Sequence, residues 1–161
     1  EELSTGTYRL HSSAPISSWE IILGKFLGVL GYFCVFGFFL IIYPLFTYIF
    51  AEPDLRIMLG GALGLILNCA AIISISLFIA SLTKNAVLSY LGSAFFIILF
   101  IFSSFMSGMP TWYKNSVNIL NLSNEFSKGI VKSGSVVTYI AIVAMFLILA
   151  RFILECRKWR V

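Results

Sequence analysis

Four long apolar runs restrict this chain more than any other feature. Residues 26–50, 57–80, 86–106 and 136–154 are each close to or above the roughly 20 residues that cross a bilayer as a helix. Hydrocarbon supplies no partner for backbone N–H and C=O groups, and an unpaired strand edge cannot sit there, so helices are expected throughout. Composition agrees: 60% of residues are hydrophobic, the mean hydropathy is +0.99 and only 11% are charged, against about 25% charged in soluble domains. The expected class is an all-α integral membrane protein, with residues 1–161 forming one membrane domain. Pro44 lies inside the first run and predicts a kink there.

The breaks between the runs set the topology. Ala51-Glu52-Pro53-Asp54 and Ser81-Leu82-Thr83-Lys84-Asn85 are too short to hold a domain, so they join antiparallel neighbours. Four spans leave both termini on one side. That side would carry seven basic residues, Arg9, Lys25, Lys84, Arg151, Arg157, Lys158 and Arg160; the other would carry four, Arg56, Lys114, Lys128 and Lys132. The positive-inside bias therefore places both termini in the cytoplasm, with Arg157-Lys158-Trp159-Arg160 suited to an anionic headgroup layer. The net charge of +4 follows from this topology and calls for no nucleic-acid partner. Glu1 is not preceded by a basic, signal-like leader, so no signal peptide is expected, and the chain reads as a piece of a longer protein.

Residues 1–25 precede the first run and are its most legible part. Ser17 and Glu20 have the S-x-x-E spacing of a capping box, Ile16 and Ile21 fall at the two positions of a hydrophobic staple, and Pro15 blocks a helix arriving from upstream. A helix is predicted to begin near Ser17 and continue through Lys25 into the first span. At the other end, residues 107–135 are too polar to span and too apolar for a free loop. One short helix is predicted after Pro110, with Tyr113, Val117 and Leu120 on one face, and a second short element carrying Phe126, Ile130 and Val131. These would be external interfacial or re-entrant helices.

Few side chains carry chemistry. Cys34, Cys69 and Cys156 have no metal-ligand spacing. No G-x-x-x-x-G-K-[ST] occurs, so the chain holds no phosphate-cradling loop. No His/Glu zinc pair, Ser/His pairing or carboxylate dyad suggests an intramembrane enzyme. Asn68, near the middle of the second run, either bonds a neighbouring helix or lines a substrate path, the bond being favoured. Gly24/Gly28 and Gly60/Gly64 are G-x-x-x-G pairs that permit close helix approach, expected within one subunit. Lys25 and Arg151, at span ends, are expected to snorkel to headgroups.

The string Glu1-Glu2, Ser4-Thr5-Gly6-Thr7, Pro15-Ile16-Ser17, Trp19-Glu20-Ile21 and Leu23-Gly24-Lys25-Phe26-Leu27 resembles the region after the second span of ABC-2-type permeases, most of all the gliding-motility and copper-processing branch. Ser81–Asn85 resembles that family's short cytoplasmic turn, Glu125-Phe126-Ser127-Lys128-Gly129 its external segment, and Glu155-Cys156-Arg157-Lys158-Trp159-Arg160 its basic tail. The resemblance implies the permease subunit of an ATP-binding-cassette transporter in the plasma membrane, an exporter, and itself no enzyme. This chain would supply the third to sixth of six spans. The partners implied are a separate cassette ATPase, which would hold ATP and Mg, and a second permease copy; lipid surrounds both. No cofactor is expected on this chain. The family's coupling helix maps onto Thr5, Gly6, Thr7, Leu10, Pro15, Ile16, Trp19 and Glu20. The chain departs from the family near Leu3, where a basic residue is usual, and near Arg9, where an acidic one is. A four-span scaffold or assembly protein that transports nothing is the alternative.

Overall fold

The computed structural model describes residues 17–50, 54–83, 85–102 and 119–158, and all regular structure among them is helical. The elements are α1 (Ser18–Phe50), α2 (Leu55–Leu82), α3 (Ala86–Phe102), α4 (Ile119–Ser127) and α5 (Ser133–Lys158). Three helices are long and apolar enough to cross a membrane, with spanning stretches at Ser18–Phe39, Arg56–Leu82 and Ser133–Cys156. α3 is apolar over its 17 described residues, about 26 Å of rise, and residues 103–106 of the expected span lie outside the described residues.

The helix ends follow local chemistry. The Asn85 side chain accepts from the Val87 N–H (3.1 Å) and its carbonyl from the Ser89 N–H (3.0 Å), so the turn after α2 ends in a cap that starts α3 at once. The expected short connection between antiparallel neighbours is therefore present. At the end of α4, the Gly129 N–H donates to the Phe126 carbonyl (2.9 Å) and the Ile130 N–H to the Glu125 carbonyl (3.1 Å). That is a Schellman stop, and Gly129 supplies the left-handed residue it needs (φ 72°). Ile130 and Val131 fall beyond this stop, exposed and non-helical, so they do not extend the element that buries Phe126 as the sequence suggested.

α2 is the hub, packing against α5, α3, α4 and α1. Lipid tails are as apolar as the side chains, so burial adds little here and close packing decides which faces meet. One cluster joins Ala71, Ile75 and Ile79 of α2 to Leu122 and Phe126 of α4 and to Tyr139, Ile142 and Phe146 of α5. Phe146 meets Phe78 (5.6 Å, 60°) and Phe96 (6.2 Å, 83°), and Phe126 meets Tyr139 (6.0 Å, 55°), in the offset and edge geometries that ring quadrupoles favour. Ser74 and Ser93 hydrogen-bond back to carbonyls of their own helices, as expected of hydroxyls in spans.

The two G-x-x-x-G pairs have different fates. A Cβ on Gly64 would lie 2.5 Å from Phe126 Cβ, and one on Gly60 would lie 3.0 Å from Gly129 Cα. The Gly60/Gly64 notch thus seats α4 and its stop within the same chain. A Cβ on Gly24 or Gly28 would meet nothing within 4 Å, so that pair faces open space. Gly64→Leu is expected to lower stability by about 1–3 kcal/mol through overpacking, whereas Gly24→Leu should fall within about 0.5 kcal/mol of wild type. Thermal unfolding of both variants in detergent checks the difference.

α4 is also tied at its acidic residue. Lys132 forms an ion pair with Glu125, and Ser135 Oγ donates to the other carboxylate oxygen (2.9 Å). Hydrogen bonds from Lys132 and then Ser135 hold the Glu125 carboxyl below its ordinary value of 4.5. A carboxylate with a depressed folded value stabilises the fold above its unfolded value and loses that contribution as pH falls through the folded one. The melting temperature should therefore drop on acidification below about pH 4.5, and Glu125→Gln should flatten that part of the profile.

Candidate functional site

The capping box at the start of α1 closes as its spacing predicts. The Ser17 N–H donates to Glu20 Oε2 (2.9 Å), and the Glu20 N–H approaches Ser17 Oγ (3.4 Å) and donates to the Ser17 carbonyl (3.0 Å). Two free donors of the first turn are thereby satisfied, which fixes where the helix begins. From there α1 continues for 33 residues without interruption, through Lys25 and past Pro44. That is about 50 Å of rise, some 20 Å more than a hydrocarbon core of about 30 Å. The cap and the spanning stretch are one rod.

The first two turns of the rod sit on α5 and α2. Ile22 (3% exposed) and Phe26 (8%) pack with Ala70 and Ile73 of α2 and Leu147 and Ala150 of α5. Trp19 lies beside this cluster, and its ring carries the Arg151 guanidinium at 5.0 Å from the centroid. Arg151 Nε in turn donates to Glu155 Oε1 at 2.8 Å. Trp19, Arg151 and Glu155 form a chain from α1 to α5 in which the guanidinium is held by a π face on one side and a carboxylate on the other. The sequence expectation for Arg151 was a place at the headgroups; the structure adds a contact with the Trp19 ring of α1. The signal available was Arg151 and Glu155 at i,i+4 spacing, but nothing local links either to residue 19.

Of the residues assigned to ATPase coupling, Trp19 and Glu20 lie in this joint. Thr5, Gly6, Thr7, Leu10, Pro15 and Ile16 lie outside the described residues, so the staple partner of Ile21 does too. No family model matches the chain, and no curated protein or solved structure does either. What the joint can do must come from its own geometry. Among the described residues it has no cluster of metal-ligating side chains. The capping box, the ring–guanidinium contact and the ion pair together tie the start of α1 to α5.

Asn68 lies on α2, two residues before Ala70 of the cluster around Ile22 and Phe26. It lies one turn from Gly64, Leu65 and Ala71 on α2, and its Oδ1 is buried with no hydrogen-bond donor among the described residues. The favoured sequence expectation, a bond to a neighbouring helix, is thus not met by this oxygen. An orphaned buried acceptor costs about 1–3 kcal/mol, so the position demands a donor from elsewhere.

Ser17→Ala is expected to destabilise the first turn of α1 by about 1 kcal/mol, read as faster amide exchange at residues 20–22. A double-mutant cycle on Trp19→Ala and Arg151→Ala should return a coupling energy of about 0.5–1 kcal/mol, and a value near zero would show that the ring and the guanidinium do not act together.

Proposed function

We propose that this chain is a membrane-spanning permease subunit of an ABC-2-type exporter. It would work in the plasma membrane, with both of its termini cytoplasmic and with four spans. A separate cassette ATPase would bind ATP and Mg and dock on residues 5–20; a second permease copy would complete the translocation route. The chain itself performs no covalent chemistry. The resemblance in the sequence motifs suggests the family, and the single structural observation that supports the mechanism is the uninterrupted helix from the Ser17 cap into the membrane.

ATP binding would draw the two ATPases together. Their movement would load the segment around Pro15, and the capped helix would carry it as a rigid displacement rather than dissipate it in a flexible linker. The cluster of Ile22, Phe26, Ala70, Ile73, Leu147 and Ala150 would spread that displacement to α2 and α5. Asn68 on α2 would then face the route, where a substrate donor could meet its unpartnered oxygen.

Co-purification with a candidate cassette ATPase and its stimulated ATP hydrolysis test this proposal. Coupling free energies of about 1–3 kcal/mol correspond to roughly 5–150-fold, so replacing Pro15 and Trp19 together should lower the stimulated rate or the assembly by about tenfold. Unchanged assembly and unchanged stimulation would refute the coupling role. Failure of every cassette ATPase to associate would favour the scaffold instead.

A further inference from the structure

We propose that the cleft between α1 and α2 is a binding site for one anionic phospholipid, with an acyl chain in the cleft and the phosphate at Arg56 and Lys128. This does not rest on the transporter reading, since a scaffold with the same helices would carry the same site.

The cleft follows from how α1 is held. α1 packs on α2 near its start, at Ile22 and Phe26, and a cavity lies between the two helices from Leu30 onward. It has a volume of about 520 Å3 and is walled on one side by Leu30, Phe33 and Phe38 and on the other by Met58, Ala62 and Leu65. Among the described residues its polar side-chain groups are the Cys34 and Cys69 thiols and the Ser127 hydroxyl, and that hydroxyl already donates to the Ser123 carbonyl (3.0 Å). Water needs two to four polar partners to be held in such a space, and the walls offer almost none. The cleft lies along the apolar runs of both helices, so the medium available to fill it is hydrocarbon.

One end of the cleft has the opposite character. Ile57 and Ser127 line it there, and each adjoins an exposed cation, Arg56 and Lys128. The two cations are brought to the same end because the α4 stop abuts the start of α2: a Cβ on Gly129 would lie 3.1 Å from Ile57 Cα. Arg56 stands in the first turn of α2, where the helix dipole disfavours a cation and favours an anion. Glu125 is occupied by Lys132 and Ser135. Among the described residues at this end, Arg56, Lys128 and Lys132 stand against Asp54 and Glu125, three cations to two carboxylates. An apolar slot with two exposed cations next to its lining residues at one end matches a phospholipid whose headgroup is a net anion.

The test is titration of the purified full chain in detergent with dioleoyl phosphatidylglycerol, bound lipid being counted by mass spectrometry of the intact protein. Dioleoyl phosphatidylcholine and glycerol phosphate serve as comparisons. Phosphatidylglycerol should bind best and glycerol phosphate not detectably. Arg56→Gln and Lys128→Gln should each weaken phosphatidylglycerol about fivefold, the effect of roughly 1 kcal/mol per basic residue at an anionic lipid surface. Gly61→Phe should abolish binding by filling the cleft; Gly61 lines it, and a Cβ there meets nothing within 4 Å, so the fold should tolerate the ring. Gly24→Phe, outside the cleft, should bind as wild type. In a Cys69→Ser, Cys156→Ser background, phosphatidylglycerol should also slow maleimide labelling of Cys34. Equal binding of both lipids, equal binding of glycerol phosphate, or full binding by Gly61→Phe would overturn the proposal. Protection of Cys34 without lipid that grows with protein concentration would also overturn it, by assigning the cleft to a second copy.

Discussion

Every backbone polar group inside hydrocarbon must find its partner within the same segment, and the rest of this structure is built under that constraint. It commits the apolar runs to helices before any side chain is considered. It also removes the usual reason for helices to cluster, because their side chains gain little by leaving lipid for one another. Association then falls to shape. α2 gathers the other helices because two glycines leave a notch for Phe126 and the α4 stop, and because Ala70 and Ala71 present small side chains toward α1 and toward α4 and α5. The bulky residues that would hinder such approach are turned outward: Tyr32, Phe36, Phe39 and Phe95 are exposed on α1 and α3, where acyl chains meet them.

The two ends of this bundle are held differently. At one end, Glu125, Lys132 and Ser135 fasten α4 to the start of α5, and the glycine notch fixes α4 on α2. At the other end, α1 arrives as a capped rod and is joined to α5 by the partly exposed Trp19–Arg151–Glu155 chain. The first arrangement resists change because backbone atoms are in contact. The second rests on side chains, the guanidinium over the Trp19 ring and the buried Ile22 and Phe26.

Much of this was legible in the sequence, and the parts that were not have a common cause. The Ser17–Glu20 cap, the continuity of α1, the tight turn ending at Asn85 and the small-residue notch on α2 are all encoded within a few residues, so local spacing revealed them. The partners in long-range contacts were not visible. The contact of Arg151 with Trp19 was invisible because its ring partner is 132 positions away. Phe126 looked like part of an element with Ile130 and Val131 because the periodicity gave no weight to the Gly129 stop between them. The unpartnered Asn68 oxygen ran against the more frequent outcome for an amide in a span. The cleft is lined by residues of both α1 and α2, which no single stretch of sequence records.

The stiffness of α1 between its cap and the membrane is the point on which the mechanical interpretation turns. Pulsed electron-spin measurement of the distance between nitroxides at Ser18→Cys and Tyr32→Cys, which leaves the Ser17–Glu20 cap intact, in a background with the native cysteines replaced by serine, tests it directly. A continuous rod between these positions requires one narrow distribution centred at about 21 Å, allowing for the label arms, and the same distribution in lipid nanodiscs as in detergent. A broad distribution, or two populations that interconvert when the medium changes, would mean that the segment bends and cannot carry force into the bilayer.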